Sequence, residues 1–374
     1  MSSKLGLPEL PSLIKAPGGQ LAHGLGEAMT LIRFHVENWR CVEKLDLELS
    51  HINILIGPNS SGKSSLAHAA YVLAKAPMVR DVREFLRGLY GLNVEFIARL
   101  GCSGPCYPVV LEAEGGSGRV ELRVRSPTEV EVSGRLWSSA YIMPSQRIDY
   151  VRLLQLIQSV VRREELETVS GRTAVSFVYS LAQMLIAGLP SLPSIFLDDL
   201  MKIMGSPPAV SEVARFKDVG SLVLELIPLL SMASYKYVDP YTSIELPATA
   251  APDGVIDLGL IESFLSRAET GSLIAVEEPE NHKHPLRLIE LVEFMARKAV
   301  EEKLTLVVTT HSDLILHSLA KLVEAKTIKP EDVTVYYLER SSEKPWTTAK
   351  RILVYEDGTF EEIPHVAEVI SRVF

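Results

Sequence analysis

The chain is poor in cysteine, with three in 374 residues: Cys41, Cys102 and Cys106. A number of cysteines that is both small and odd excludes a disulfide scaffold. Cys102 and Cys106 flank the turn Ser103-Gly104-Pro105, where we expect plain thiols, with a local disulfide as the alternative. A structural metal site would need a fourth ligand, and no such partner accompanies the three cysteines.

Basic residues are outnumbered, with 38 Lys and Arg against 47 Asp and Glu and a net charge of −9. This excludes a protein coated in basic patches but leaves room for a local basic groove. One basic cluster comprises Arg152, Arg162 and Arg163, and three glutamates follow it between residues 164 and 167. A solvated helix face is therefore favoured over nucleic-acid contact at this cluster.

Long apolar runs are scarce as well. Residues 1–29 show no charged start followed by an apolar core, so they predict a flexible Gly-, Pro- and Ser-rich tail, not a secretory signal. Residues 173–197 carry no charge and are long enough to span a membrane, but Gln183 and two prolines interrupt them. A buried helix is the favoured interpretation. We expect a cytoplasmic protein without membrane insertion.

The strongest motif is Gly57-Pro58-Asn59-Ser60-Ser61-Gly62-Lys63-Ser64, which fits G-x-x-x-x-G-K-[ST] between a predicted apolar strand and a predicted helix. Its glycines let backbone N–H groups turn toward phosphates, and the helix adds its positive N-terminal end. Lys63 supplies a charge for the outer phosphates, and the Ser64 hydroxyl is a ligand for Mg²⁺. The residues predicted to hold the nucleotide are Gly57, Pro58, Asn59, Ser60, Ser61, Gly62, Lys63, Ser64 and Ser65.

Two further apolar strands end in polar side chains. One runs from Leu273 into the adjacent carboxylates Glu277 and Glu278, and the other, from Thr305, ends at His311. Because carboxyl ends of parallel strands share one edge of a sheet, these groups are expected beside the glycine-rich loop. Glu277 is predicted to hold Mg²⁺ through water, Glu278 to polarise the attacking water, and His311 to sense the γ-phosphate. A solvated strand end and a structural histidine are the alternatives.

The order of elements predicts an α/β fold class. Apolar strands separated by helices indicate a parallel or mixed sheet. Short strands with Gly-rich turns between residues 92 and 142 indicate an antiparallel β meander. We divide the chain into the tail, a P-loop and antiparallel β lobe at 30–148, a helical insertion at 149–232, and a second lobe at 233–374.

Together these motifs resemble the ABC-type ATPases of the SMC, RecF and OLD group, and most closely their stand-alone AAA-like or OLD-like branch. Asn38-Trp39-Arg40 is similar to the opening strand and turn of that group, and the resemblance covers about residues 30–374. It implies a P-loop NTPase of ABC-type architecture that forms a head-to-tail homodimer with two ATP molecules between the subunits. Glu277 would be the Walker B acid, Glu278 the general base and His311 the switch histidine.

The same resemblance implies two further contacts. Gln146 is similar in position to the Q-loop glutamine and would contact Mg²⁺, with Arg147 as the alternative contacting residue. Arg40 would approach the nucleotide, with an ordinary surface arginine as the alternative.

Two departures from the group's pattern stand out. Its signature segment, which touches the partner's γ-phosphate, has only the degenerate candidate Ala250-Ala251-Pro252-Asp253-Gly254. Lys283 stands where the group usually has an apolar residue. Glu280, His282 and His284 offer a possible metal site, but a dimer-facing loop is favoured.

Two functions stay open. The first is an ATPase whose turnover drives work on DNA, RNA or a partner protein, in repair or defence. The second is a slow ATP-dependent switch that recruits a separate effector protein. We expect no C-terminal nuclease domain after residue 339, and the lack of long heptads excludes an SMC rod.

Overall fold

The computed structural model describes residues 31–90, 94–102, 104–152, 191–204, 210–216, 220–227, 232–247 and 250–364. The strands of these segments, in chain order, are β1 (Ile32–Trp39), β2 (Val42–Leu49), β3 (Ile52–Ile56), β4 (Arg99–Cys102), β5 (Gly104–Cys106), β6 (Val109–Gly115), β7 (Gly118–Ser126), β8 (Glu129–Gly134), β9 (Ala140–Met143), β10 (Val210–Phe216), β11 (Gly220–Ile227), β12 (Met232–Val238), β13 (Glu245–Pro247), β14 (Leu273–Glu277), β15 (Thr305–Thr310), β16 (Val333–Glu339) and β17 (Thr348–Ile352). Among the α-helices of these segments are α1 (Lys63–Lys75), α2 (Val82–Tyr90), α3 (Ser191–Met204), α4 (Asp253–Arg267), α5 (Pro285–Glu301) and α6 (Asp313–Glu324).

The central sheet has the order β17-β16-β3-β15-β14-β9, and all neighbours are parallel except β17 with β16. Its inner strands are buried apolar runs, as strands covered on both faces must be. Alternate residues serve the two faces: Val276 and Val308 pack with α4, α5 and α6, whereas Ala275 and Val307 pack with α1. The predicted α/β class with a mixed sheet is confirmed.

A second, antiparallel sheet lies on the other side of α1, in the order β2-β1-β6-β7-β8. Strands β6, β7 and β8 form the predicted meander, with a Gly-rich turn between β6 and β7 and the short turn Pro127-Thr128 between β7 and β8. Helix α1 is therefore buried along nearly its whole length, because it is enclosed between two sheets. The strand predicted from residue 92 is wrong at Val94–Ile97, which forms a 3-10 helix.

The predicted helical insertion is only partly correct. Residues 153–190, which include most of the apolar run weighed as a membrane span, lie outside the described residues. Residues 191–204 form helix α3, as predicted for this part of the insertion. Residues 210–216 and 220–227, however, form the antiparallel strands β10 and β11 of a small sheet with β12 and β13. The alternation of Leu222, Leu224 and Leu226 is a strand pattern, and pairing with β12 favours it over a helix.

The prediction of plain thiols has two outcomes among the described residues. Cys106 is disulfide-bonded, so the prediction of a free thiol is wrong for it, whereas Cys41 is a free cysteine. The hairpin β4–β5 folds the chain back on itself around this position. In the part of the chain that the structure describes, no helix combines the length and apolar character needed to cross a membrane.

A buried ion pair joins α3 to the end of α1. Lys75 Nζ lies 2.6 Å from Asp199 Oδ1 and also donates to the carbonyl of Ala140, and Tyr71 donates its hydroxyl to Asp199 Oδ2 at 3.1 Å. Burial raises the pKa of Asp199, although Lys75 and the two hydrogen bonds oppose that effect. The pair therefore connects the insertion to the helix that follows the glycine-rich loop.

We expect Asp199→Asn to lower the free energy of unfolding by about 3 kcal/mol, because it leaves the buried Lys75 ammonium without its counter-ion. Urea titration followed by circular dichroism measures the change. The matched control is Asp198→Asn, whose carboxylate pairs with Lys202 on the exposed side of α3 and should matter by less than about 1 kcal/mol. Equal losses of unfolding free energy in the two variants would show that the buried pair stabilises the protein no more than the exposed one.

Glu262 in α4 is a partly buried acid, and burial raises its pKa to about 7 from its ordinary value of 4.5. The native state then binds more protons than the unfolded state between these values, so stability falls as the pH rises through that window. Allowing for its partial exposure, we expect Glu262→Gln to stabilise the protein by about 1–2 kcal/mol at pH 8. The gain should vanish near pH 4, and urea titrations at the two pH values test this. A gain that does not change with pH would contradict it.

Candidate functional site

The glycine-rich loop connects the carboxyl end of β3 to α1, and its two outer glycines have no substitute. Gly57 has φ +150°, and an added Cβ would lie 2.1 Å from the carbonyl oxygen of Leu338 in β16. Gly62 has φ +106°, and an added Cβ would lie 2.3 Å from Oγ1 of Thr347. The loop is thus fitted closely against β16 and the β16–β17 turn, in a conformation that only glycine adopts without strain.

The Lys63 side chain folds back over the loop. Its Nζ donates to the carbonyl oxygens of Gly57 at 2.8 Å and Pro58 at 2.9 Å. Burial lowers the pKa of Lys63, and Glu278 and Glu280 partly oppose that effect. An ammonium group held in this way can exchange carbonyl acceptors for phosphate oxygens with little rearrangement.

Glu277 ends β14 and is buried against the first turns of α1. Its carboxylate accepts hydrogen bonds from the Ser64 side chain and the Ser145 backbone N–H, and its Oε1 lies 3.4 Å from Nε2 of His68. Burial alone would raise the pKa, but His68 and these hydrogen bonds outweigh it and lower the pKa to about 2. Glu277 is therefore an anion wherever the protein is folded near neutral pH.

This environment suits a magnesium ion. Oε1 of Glu277 is buried, and its polar neighbour among the described residues is His68 Nε2, at the long distance of 3.4 Å. A carboxylate beside a serine hydroxyl at the end of a phosphate-binding loop is a donor set that Mg²⁺ accepts, with its other positions filled by water and phosphate. Ser64 and Glu277 would hold the ion, which supplies charge neutralisation on the phosphate oxygens.

His68 was not predicted from the sequence. It follows Ser64 by four residues on α1, so both side chains lie on the same face of the helix and meet Glu277. That spacing is the signal by which it could have been found. A lone histidine inside an apolar helix is too common, however, to be singled out without knowing that β14 lies opposite.

Glu278 is the first residue after β14, so the alternation of side chains along the strand does not extend to it. Its backbone is left-handed, with φ 45°, and its N–H donates to the Thr309 carbonyl at 2.9 Å. Asn281 Nδ2 donates to its Oε2 at 3.0 Å, and His311 Nε2 lies 3.9 Å from its Oε1. The side chain is about one-third exposed. Glu278 and His311 therefore stand together at the open side of the site.

Strand β15 lies between β3 and β14, so Thr310 and His311 emerge between the glycine-rich loop and the two acids. From the sequence alone, Glu280 has no role beyond that of a candidate metal ligand. In the structure, its carboxylate holds the carboxyl end of β15 in place. Its Oε1 accepts from Thr310 Oγ1 at 2.7 Å and from the His311 N–H at 2.8 Å. No group of three or more His, Cys, Asp or Glu able to hold a metal occurs among the described residues, Glu280, His282 and His284 included.

The structure also places Gln146 and Arg40, the residues predicted to contact Mg²⁺ and the nucleotide. Gln146 is exposed in the turn after β9, next to Ser145, at the same sheet edge as Glu277. Arg147, its alternative, is fully buried and bonded to Asp257, so it is not placed to contact a nucleotide. Arg40 lies in the β1–β2 turn beside Cys41. The Thr347 hydroxyl connects this turn to the glycine-rich loop, because it bonds both to the Cys41 sulfur and to the Ser61 carbonyl. The roles of Gln146 and Arg40 stay predictions.

The degenerate candidate segment, residues 250–254, precedes and begins α4 and lies against the loop that follows the two acids. A Cβ on Gly254 would lie 2.6 Å from the His282 carbonyl oxygen. The segment borders a cleft of about 610 Å³ whose lining includes Tyr237, Tyr241 and Leu286.

Comparisons with known proteins agree with this geometry. Residues 29–93 match the domain family described as AAA ATPase domain, and residues 151–317 match the one described as AAA domain, putative AbiEii toxin, Type IV TA system. No curated protein was found to match the sequence.

Among solved structures, the chain is similar to an Smc head domain from Pyrococcus furiosus with an extended coiled coil, bound to the C-terminal domain of ScpA. The TM-score is 0.50 at 10% identity, over 92% of this chain and 100% of that one. It is also similar to an SmcHead bound to the C-winged helix domain of ScpA, with a TM-score of 0.51 at 10% identity over 87% and 98% of the two chains. At this identity the likeness concerns the fold.

Proposed function

We propose that the chain is a P-loop ATPase of the SMC- and RecF-like group that hydrolyses ATP with Mg²⁺, supported by the two AAA domain families that match parts of the sequence and by the fold that it shares with Smc heads. The observation that carries the proposal is the convergence of three strand ends. Lys63, the Glu277–Glu278 pair and His311 come from β3, β14 and β15, which are distant in sequence and adjacent at one sheet edge. A buried, ionised carboxylate such as Glu277 beside a glycine-rich loop is typical of a functional site.

Each residue has a distinct task in the proposed mechanism. Backbone N–H groups of the loop and Lys63 bind and neutralise the β- and γ-phosphates. Ser64 and Glu277, with His68 beside the carboxylate, would hold Mg²⁺, which would neutralise charge on the phosphate oxygens. Glu278 accepts a proton from the attacking water, which it positions together with Asn281. His311 donates toward the γ-phosphate, where negative charge is carried in the transition state. Gln146 and Arg40 would complete the contacts to metal and nucleotide.

We further propose that ATP brings two copies together head to tail, so that residues 250–254 of one copy close over the nucleotide of the other. Support comes from the exposure of Glu278 and His311, which leaves one side of the site open. Such a sandwich would be reset by hydrolysis, which links turnover to assembly.

The partner on which the protein acts is a separate question. DNA, RNA or a partner protein is the proposed target, and the similar Smc heads are solved with ScpA domains bound. Binding to duplex DNA that weakens with salt and requires ATP would support nucleic acid. Absence of binding with and without ATP would favour a protein.

The second candidate is a slow switch, which binds ATP, dimerises and recruits an effector with little turnover. The degenerate segment at 250–254 favours it, because a weak contact to the partner's phosphate would slow the closed state's formation. Release of inorganic phosphate by the purified protein, with Mg²⁺ and then with excess EDTA, separates the two. Metal-dependent multiple turnover supports hydrolysis as the task. Nucleotide binding and dimerisation with less than one turnover support the switch.

A further inference from the structure

Three charged side chains from distant parts of the chain are fully buried in one cluster: Arg147, Asp257 and Lys283. Asp257 Oδ1 accepts from Arg147 Nε, and its Oδ2 accepts from Arg147 Nη2 at 2.8 Å and from Lys283 Nζ. Two cations thus share one carboxylate. Burial lowers the pKa of Lys283 to about 8, although Asp257 opposes that effect. Buried charge of this kind is a poor means of gaining stability, so its position requires another explanation.

The guanidinium of Arg147 also binds the main chain of both site acids. Nη1 donates to the Glu277 carbonyl at 2.6 Å and to the Pro144 carbonyl at 3.0 Å, and Nη2 donates to the Glu278 carbonyl at 3.3 Å. Glu278 is in the left-handed region, which a non-glycine residue keeps only when its surroundings hold it there. The flat, two-pronged donor of Arg147 is one of those restraints, and the N–H bond to Thr309 is another.

The other members of the cluster connect Glu278 to the candidate segment at 250–254. Asp257 lies in the second turn of α4, which begins within that segment. Lys283 lies in the loop after Glu278, where it also donates to the Asn281 carbonyl at 3.2 Å. Asn281 in turn holds the Glu278 carboxylate. A movement of the start of α4 would therefore be passed to Glu278 through its carbonyl and through Asn281.

We propose that Arg147, oriented by Asp257 and Lys283, is a positioning residue that holds Glu278 in its active conformation and couples it to residues 250–254. The inference rests on the proposed hydrolysis. It assigns a purpose to Lys283, where the resembling group usually has an apolar residue: the lysine fixes Asp257 to the loop carrying Asn281. The side-chain hydrogen bonds of Arg147 go to Pro144, Asp257, Glu277 and Glu278 and not to the glycine-rich loop, so its replacement should affect the chemical step and not nucleotide affinity.

The test compares kcat, the Kd for ATP and the midpoint of thermal unfolding in matched variants. Arg147→Lys keeps the positive charge but loses the two-pronged donor, so kcat should fall about ten-fold or more while the Kd for ATP stays within about two-fold. The double variant Asp257→Asn with Lys283→Met removes one anion and one cation, which leaves the cluster's net charge unchanged. It should show the same split between kcat and Kd. Asp199→Asn is the control, since it breaks a buried pair far from Glu278 and should lose stability but keep kcat.

The possible results separate the positioning role of Arg147 from the proposed hydrolysis. Wild-type kcat in folded Arg147→Lys would overturn the inference and leave the proposed hydrolysis intact. An equal loss of kcat in Asp199→Asn would overturn it too, because general destabilisation would then explain both. Loss of folding in both cluster variants would make the cluster a structural element and reject the positioning role. Absence of turnover in the wild-type protein would instead overturn the proposed function.

Discussion

Lys63→Ala should abolish nucleotide binding, with the Kd for ATP rising at least about 100-fold. The substitution removes the only side-chain cation that the structure places within the glycine-rich loop itself, where its Nζ bonds to Gly57 and Pro58. The fold should survive the change, because the buried ammonium carries a desolvation cost that lowers its pKa and that alanine does not have. Isothermal titration calorimetry with ATP and Mg²⁺ measures the effect.

The control for this experiment is Lys321→Ala, which removes a solvent-exposed lysine of α6 that pairs with Glu324. Its ATP affinity and its thermal midpoint should match those of the wild-type protein. If Lys63→Ala bound ATP with unchanged affinity while folded, the glycine-rich loop would not be the phosphate site, and the proposed function would have to be abandoned.

Glu278→Gln should bind ATP normally but lower kcat by about 10²–10⁴-fold, the range typical for loss of a general base. The amide keeps the shape of the side chain and can still contact Asn281, but it cannot accept a proton from water. Because the nucleotide is bound but not cleaved, the variant should accumulate as an ATP-bound dimer. Phosphate release and size-exclusion chromatography with light scattering, with and without ATP and Mg²⁺, report the two effects.

A matched substitution on the surface, Glu301→Gln at the end of α5, controls for the loss of one negative charge. It should leave turnover and oligomeric state as in the wild-type protein. Full turnover in Glu278→Gln would remove Glu278 as the base. Slow turnover without a dimer would retain the base and reject the ATP sandwich.

Short, contiguous motifs were predictable because their chemistry is local. The phosphate loop needs glycine at Gly57 and Gly62 for backbone reasons, and these sit a fixed distance from Lys63 along the chain. The acid pair at Glu277 follows a strand whose buried character is evident from its own composition. Strand β11 was missed because a period of two over eight residues, within a segment of mostly helical spacing, is outweighed until β12 is known to pair with it.

The glycine-rich loop motif, the buried apolar strands and the polar residues at their ends are evident from local sequence, since each depends on neighbours within about ten residues. The contacts that hold these pieces together, in contrast, are visible only in the folded chain. His68 meets Glu277 across the gap between helix and sheet, Glu280 orders His311, and Arg147 reaches Asp257 across 110 residues of chain. Contacts of that kind depend on which strands lie side by side, and strand order is a property of the packed core.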